Sequence, residues 1–147
     1  MEYHIIGCGN PDRGDDAAGL LVARRLREMG IDALDQSGEG LELMESWRGH
    51  DAVAVIDAVV TGAPPGTVTV WDAVEQPQID EVFRCSTHHF GIGEAVMLAS
   101  VLNRMPRRLL IYGIEGRQFD VGSAPSCEVN SAVESLARQL ASKSNSE

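Results

Sequence analysis

Three side chains that can bind a metal ion or transfer a proton lie next to three separate strand-like runs of the sequence. Asp16 follows a glycine-bearing loop, Asp57 closes the apolar run 52–56, and His88 opens the segment 87–91. In an open parallel α/β sheet, ligands bind at the carboxyl edge, because the loops separate there and helix N-termini point into the gap. Two carboxylates and an imidazole at that edge would make an oxygen- and nitrogen-rich pocket suited to a divalent transition metal. The spacing therefore predicts a metal site at this edge.

Asp57 is the strongest of the three candidates. An ionised carboxylate at the end of an apolar strand has to be paired, hydrogen-bonded or bound to a metal, because burying it alone is costly. The alternative interpretation is that Asp57 caps the following turn or pairs with Arg13 or Arg24. Its place at the carboxyl end of a strand favours a functional role.

The histidines carry less weight on their own. His88 and His89 are adjacent and project in different directions, so at most one of them is expected to point at a given site. A lone histidine ahead of a helix is more often a cap or a surface residue than a ligand, and only the coincidence with the two acids favours His88. His4 and His50 are interpreted as structural.

The loop 7–14 has glycines at positions 7 and 9, which invites a dinucleotide-binding interpretation. The Rossmann fingerprint requires a third glycine three residues after the second, and Asp12 stands there. Asp12, Asp15 and Asp16 would also face the pyrophosphate at a helix N-terminus, where like charges repel. The glycines are better explained by a tight strand-to-helix turn, and Asp15 by a favourable place in the first helical turn.

Other catalytic arrangements fit less well. Neither a His-Glu-x-x-His nor a Gly-x-Ser-x-Gly motif occurs in the sequence. Cys8 lies at the appropriate edge for a nucleophile, but no local motif supplies a histidine, so we interpret it as a packed thiol. The three cysteines, Cys8, Cys85 and Cys127, are widely spaced and match neither a zinc site nor a disulfide framework.

Length and charge narrow the class of protein. The 147 residues suffice for one domain, which we place at 1–141, with a polar tail 142–147 that should fray. The formal net charge of −10 disfavours nucleic-acid and membrane-surface partners. No apolar run is long enough to cross a bilayer, and the N-terminus lacks the pattern of a signal peptide. We therefore expect a soluble cytosolic protein.

Apolar periodicity predicts strands that alternate with helices. Strand-like runs occur at 3–8, 31–35, 52–56, 67–71 and 108–114, and helical patterns at 18–29, 40–47, 91–102 and 128–140. The run 67–71 alternates threonine with valine, so we expect it near an edge of the sheet. This order predicts an α/β protein, a three-layer α/β/α sandwich with a mostly parallel central sheet.

Taken in order, the candidate motifs resemble those of the hydrogenase maturation endopeptidases. The resemblance spans nearly the whole chain and rests on Gly7-x-Gly9-Asn10, Asp15-Asp16, Ile56-Asp57-Ala58 and Ser86-Thr87-His88. It implies an α/β/α sandwich that cuts a short C-terminal extension from the large subunit of a nickel–iron hydrogenase after nickel insertion. The family's three metal-contacting positions correspond to Asp16, Asp57 and His88.

One loop departs from the family pattern. Many members carry a Gly-Gly-Thr-type loop after the second strand that engages the substrate, and this chain has Gln-Ser-Gly-Glu-Gly at 36–40. The resemblance implies a substrate-binding role for Gly38, Glu39 and Gly40. The charge of Glu39 bears on the subtype of substrate rather than on the activity.

The resemblance also implies how nickel would be used. The partner is the large-subunit precursor, which brings nickel already held by its own cysteine thiolates, so the ion acts as a recognition element supplied by the substrate. It would then polarise the scissile carbonyl or activate a water, with Asp16 or Asp57 as proton acceptor. Two rival functions stay open: a nickel-binding chaperone or checkpoint module that does not hydrolyse its client, and a flavodoxin- or Rossmann-like nucleotide-binding domain.

Overall fold

The structure is a computed structural model that describes residues 2–77 and 90–145. Its strands are β1 (His4–Cys8), β2 (Leu34–Gln36), β3 (Ala52–Val59), β4 (Val68–Asp72) and β5 (Arg108–Glu115). They form one sheet in the order β2-β1-β3-β5-β4. The strands β2, β1, β3 and β5 are parallel to one another, and β4 runs antiparallel to β5 at the edge.

Among the described residues, four helices cover the sheet: α1 (Ala18–Glu28), α2 (Gly40–Trp47), α3 (Ile92–Leu102) and α4 (Cys127–Asn145). A 3₁₀ turn, Gly14–Ala17, leads directly into α1. The helix α1 ends in a Schellman motif, in which Gly30 has a φ of +84° and the Ile31 N–H donates to the Leu26 carbonyl oxygen at 2.9 Å. In the part of the chain that the structure describes, no helix is both long and apolar enough to span a membrane.

The hydrophobic core lies on both faces of the sheet. One face packs against α1 and α4, through buried residues that include Val22, Leu26, Ile56, Tyr112 and Leu136. The other packs against α2 and α3, through buried residues that include Leu43, Trp47, Val55, Val96 and Ile111. Since β3 and β5 are covered on both sides, their sequences are mostly apolar, and Asp57 is the one charged residue inside β3. The three-layer α/β/α sandwich predicted from the sequence is confirmed.

Some boundaries differ from the predicted ones. The edge position of the strand near residue 70 is confirmed. The strand β2 is only three residues long, and β3 continues to Val59, so Asp57 lies within the strand instead of closing it. Helix α4 continues to Asn145, and so into the segment 142–147 that was expected to fray.

Candidate functional site

The 3₁₀ turn that carries Asp16 lies against the carboxyl end of β1. Gly9 has a φ of +150°, and a Cβ added there would overlap the main-chain carbonyl oxygen of Asp16. The N–H of Asn10 donates to the same carbonyl oxygen at 3.2 Å. A glycine is required at position 9 because a side chain would push the turn away from the strand.

A second glycine extends this close approach to β3. A Cβ at Gly19 would overlap the carbonyl oxygens of Cys8 and Ile56, which end or nearly end the two central strands. Gly19 therefore lets the first turn of α1 rest directly on the sheet. The two glycines bring the turn containing Asp16 beside the strand that carries Asp57.

Asp57 sits at this edge with little to stabilise its charge. By the alternation of β3 it faces the layer of α2 and α3, and its side chain keeps only partial exposure. Its Oδ1 accepts a hydrogen bond from the Ala58 N–H at 2.8 Å, and it forms no ion pair with any described residue. Burial, and then the nearby Asp16 carboxylate, raise the pKa of Asp57 well above its ordinary value, against the opposing effect of the Ala58 N–H. The two acids are therefore close enough to repel each other.

Arg13 pairs with Asp16, not with Asp57. Its Nη1 lies 3.5 Å from Oδ2 of Asp16, and the two side chains are 26% and 20% exposed. Its Nε donates to the carbonyl oxygen of Phe119 at 3.3 Å, in the loop between β5 and α4. The alternative in which Arg13 or Arg24 neutralises Asp57 is therefore wrong for the described residues.

The neighbouring acid, Asp15, is fully buried and points into the loop that follows β5. Its Oδ2 accepts from the N–H groups of Arg117 and Gln118 at 2.9 and 3.0 Å, and from Ser126 Oγ at 3.0 Å. Its Oδ1 accepts from the Ser126 N–H at 2.6 Å. Burial alone would raise the pKa of Asp15, but these four hydrogen bonds together hold it below its ordinary value. Asp15 is thus an anchor for the loop 116–126 and no part of the candidate site.

Cys8, the last residue of β1, is completely buried. Burial and, to a lesser extent, the charge of Asp57 raise the pKa of its thiol well above the usual value. A buried neutral thiol is a poor nucleophile, which agrees with the interpretation of Cys8 as a packing residue.

His4 and His50 lie at the opposite, amino end of the sheet. Their rings stack with centroids 3.7 Å apart, and His4 Nε2 is 3.1 Å from the carbonyl oxygen of Ser46. Burial, followed by the charge of His50, lowers the pKa of His4. This arrangement agrees with a structural role, and it separates both histidines from the acids.

Two of the three predicted metal ligands, Asp16 and Asp57, lie within the described residues. Asp16 and Asp57 supply carboxylate oxygens, which suit a divalent ion, and their mutual repulsion is what a cation between them would relieve. The third predicted ligand, His88, lies outside the described residues. Within the described ranges, no cluster of three His, Cys, Asp or Glu side chains is arranged to hold a metal. The metal-ligand roles of Asp16, Asp57 and His88 and the catalytic roles of Asp16 and Asp57 stay predictions.

The predicted substrate-binding loop lies at the same edge of the sheet, after the carboxyl end of β2. Gly38 has a φ of +96°, and the Glu39 carboxylate caps α2 by accepting from the N–H groups of Leu41 and Glu42 at 3.1 and 2.9 Å. The N–H of Gly40 donates to the carbonyl oxygen of Phe90 at 2.7 Å. This bond joins the starts of α2 and α3. A substrate-binding role for Gly38, Glu39 and Gly40 stays a prediction.

Sequence reasoning named Arg13 as a possible partner of Asp57 and missed its pairing with Asp16. Its position three residues before Asp16 was a usable signal, because such a spacing brings two side chains together in a helical or 3₁₀ turn. The contact of its Nε with Phe119 had no such signal, since the two residues are 106 positions apart.

Comparison with known proteins points to one family. A family model described as HycI, hydrogenase maturation protease, matches residues 20–143. The HupD hydrogenase expression/formation protein of Thiocapsa roseopersicina is 29% identical over 124 residues, which cover 81% of this chain and 56% of the relative. The HupM protein of Azotobacter chroococcum is 29% identical over 121 residues, which cover 79% of this chain and 58% of the relative. The chain thus spans a little over half the length of these curated relatives.

Solved structures agree in fold. The NiFe hydrogenase maturation protease HybD from Thermococcus kodakarensis superimposes with a TM-score of 0.74 at 28% identity, covering 97% of this chain and 98% of that one. The hydrogenase maturating endopeptidase HybD from E. coli superimposes with a TM-score of 0.77 over 95% and 90% of the two chains. At 22% identity, the second comparison concerns the fold alone.

Proposed function

Because the chain belongs to the hydrogenase maturation protease family, we propose that it is an endopeptidase that processes the large subunit of a nickel–iron hydrogenase. In this proposal it removes a C-terminal extension from the precursor after nickel insertion. The partner is the nickel-loaded precursor, and the ion arrives with it. Cytoplasmic location is part of the same proposal.

The observation that supports this proposal most directly is the pair formed by Asp16 and Asp57. The two acids come from separate elements, a 3₁₀ turn and a buried strand, and close packing at Gly9 and Gly19 brings them together. A raised pKa for a carboxyl group that repels its neighbour is typical of a functional site, because a purely structural acid would be given donors.

Nickel serves mainly in recognition. An ion held by client thiolates still accepts oxygen and nitrogen ligands, and Asp16, Asp57 and His88 would offer these. Docking then becomes productive only when the client carries its metal. The predicted loop of Gly38, Glu39 and Gly40 would contact the client beside that ion.

Asp57 is the better placed of the two acids to transfer protons. Hydrolysis adds a water oxygen to the scissile carbonyl carbon, passes a water proton to a base, and returns a proton to the departing amine as the C–N bond breaks. A carboxyl group whose pKa is raised well above its ordinary value holds a proton more readily, and so can accept that proton and then return it. Asp16 pairs with Arg13 and fits a role in binding.

The test is processing of a purified precursor with and without nickel, followed by mass spectrometry of the large subunit and of the released peptide. We expect cutting only of the nickel-loaded form. Asp57→Asn should fold and yet reduce the rate by about 10³-fold, the scale expected for loss of a general base. Asp16→Asn and His88→Ala should also leave the precursor uncut. Asp12→Asn, an exposed acid in the same loop, is the matched control and should cut normally.

Two outcomes would contradict the proposal. Efficient processing by both Asp57→Asn and His88→Ala would refute the residue assignments. Nickel-dependent binding of the precursor without release of any peptide would instead favour a chaperone or checkpoint module that uses the same ligands.

A further inference from the structure

Arg13 pairs with one acid of the candidate site and is also held by a second contact. Its guanidinium contacts Asp16 through Nη1 at 3.5 Å and the Phe119 carbonyl oxygen through Nε at 3.3 Å. The second contact joins it to the loop that Asp15 anchors, so Arg13 does not rely on Asp16 to stay in place. Its side chain is 26% exposed, which leaves a path for solvent and ligands.

The charge of Arg13 bears directly on metal binding. Two carboxylates on one edge attract any dication from solution, and a fixed guanidinium a few ångströms away repels it. Even at the dielectric constant of bulk water, one such charge about 5 Å away weakens the affinity for a dication by about tenfold or more. The ion also has to compete with Arg13 for the Asp16 carboxylate, since Oδ2 serves both.

We propose that Arg13 is a specificity-determining residue that stands in for the cation beside Asp16, so that the site does not collect free divalent metal ions. This inference rests on the proposed function, in which the productive ion belongs to the client. An ion held in a docked precursor has the whole protein–protein interface to hold it in place, and so displaces the guanidinium from Asp16. A free ion has no such support. The anchor at Phe119 keeps Arg13 near, ready to return to Asp16 when the product leaves.

The experiment is calorimetric titration of the full, untagged chain with Ni²⁺ in a buffer that does not chelate metals. Arg13→Gln removes the charge and Arg13→Lys retains it. Arg24→Gln is the matched control, because Arg24 is exposed on α1 and forms no ion pair with any described residue, and the substitution changes the net charge equally. Thermal melts establish that each variant is folded. Arg13→Met, which keeps the aliphatic stem, substitutes for Arg13→Gln if that variant does not fold.

We expect Arg13→Gln to bind Ni²⁺ about tenfold more tightly than the wild type, with Arg13→Lys and Arg24→Gln within about twofold of it. The gain should disappear in an Asp16→Asn background, because the carboxylate through which Arg13 acts is gone. A merely structural role predicts a lower Tm for Arg13→Gln with unchanged Ni²⁺ affinity, and that result would overturn the inference. Equal affinity in all variants, or no binding by any of them up to millimolar Ni²⁺, would overturn it too.

The metal titration is independent of precursor cleavage, so the two proposals fail separately. If the wild type does not cut a nickel-loaded precursor, the proposed function is wrong whatever the titration shows. If cutting occurs and Arg13→Gln does not gain affinity for Ni²⁺, only the role of Arg13 is wrong.

Discussion

The side chains of Asp15 and Asp57 are both largely removed from solvent, but they accept very different numbers of hydrogen bonds. Asp15 accepts four hydrogen bonds from Arg117, Gln118 and Ser126, whereas Asp57 accepts one, from its own neighbour Ala58. Burial would raise the pKa of Asp15, but its hydrogen bonds outweigh burial and lower it. For Asp57, burial and the nearby Asp16 carboxylate together raise the pKa. The donors around a buried acid decide its character, and burial alone does not.

This difference distinguishes a structural acid, Asp15, from a candidate functional acid, Asp57, at the same end of the sheet. Asp15 anchors the loop 116–126 and thereby fixes the turn on which Asp16 is carried. Asp57 lacks such hydrogen bonds. Repulsion between its carboxylate and that of Asp16 destabilises the folded protein, and such a cost is typical of functional sites. We expect the two residues to respond to substitution in opposite directions.

The largest effect should come from Asp15→Ala. The substitution leaves the N–H groups of Arg117, Gln118 and Ser126 without their acceptor in a buried place, so the free energy of unfolding should fall by about 4 kcal/mol at pH 7. Chemical denaturation measures it. Since the pKa of Asp15 is lowered in the folded state, its contribution is present above about pH 3.9 and is lost as the pH falls through the folded-state value.

The control for Asp15 is Asp12→Ala, in the same loop. The side chain of Asp12 is exposed, and its contact with the loop 116–126 is through the main chain, where its carbonyl oxygen accepts from the Gly122 N–H at 2.7 Å. We expect a change of about 0.5 kcal/mol or less. Equal losses for Asp12→Ala and Asp15→Ala would remove the basis of the comparison.

The sequence predicted one half of this contrast and not the other. An acid next to the unbroken run 52–56 is exceptional, so Asp57 could be singled out, and the same apolar runs predicted the sandwich. The division between Asp15 and Asp16 could not be predicted, because both occupy the first turn after one loop. It depends on hydrogen bonds from groups 102 to 111 positions away. Long-range contacts of main-chain groups carry no signature in residue type.

A smaller effect should come from Ser126→Ala. The hydroxyl donates to Asp15 Oδ2 at 3.0 Å and accepts from the Val129 N–H at 3.4 Å, so it both supports the acid and caps α4. Its loss should lower the free energy of unfolding by about 2 kcal/mol, since a bond to a charged group and a cap contact are removed together. In the double variant with Asp15→Ala the loss should be much less than additive. Full additivity would mean that Ser126 acts through the cap alone.

The smallest effect, and the one of opposite sign, is expected for Asp57→Asn. An amide keeps an oxygen for the Ala58 N–H and removes the charge that burial and Asp16 disfavour. Because the pKa of Asp57 is raised in the folded state, the wild type loses stability as the pH rises from about 3.9 through the folded-state value, whereas the variant does not. The variant should therefore be more stable by about 1 kcal/mol at pH 7, with the difference closing near pH 4. Melts of both proteins between pH 4 and 8, with Asp12→Asn as the control, measure this. A variant that is less stable at pH 7, or a difference that does not depend on pH, would mean that Asp57 is satisfied in the way Asp15 is, and the two acids would then differ only in position.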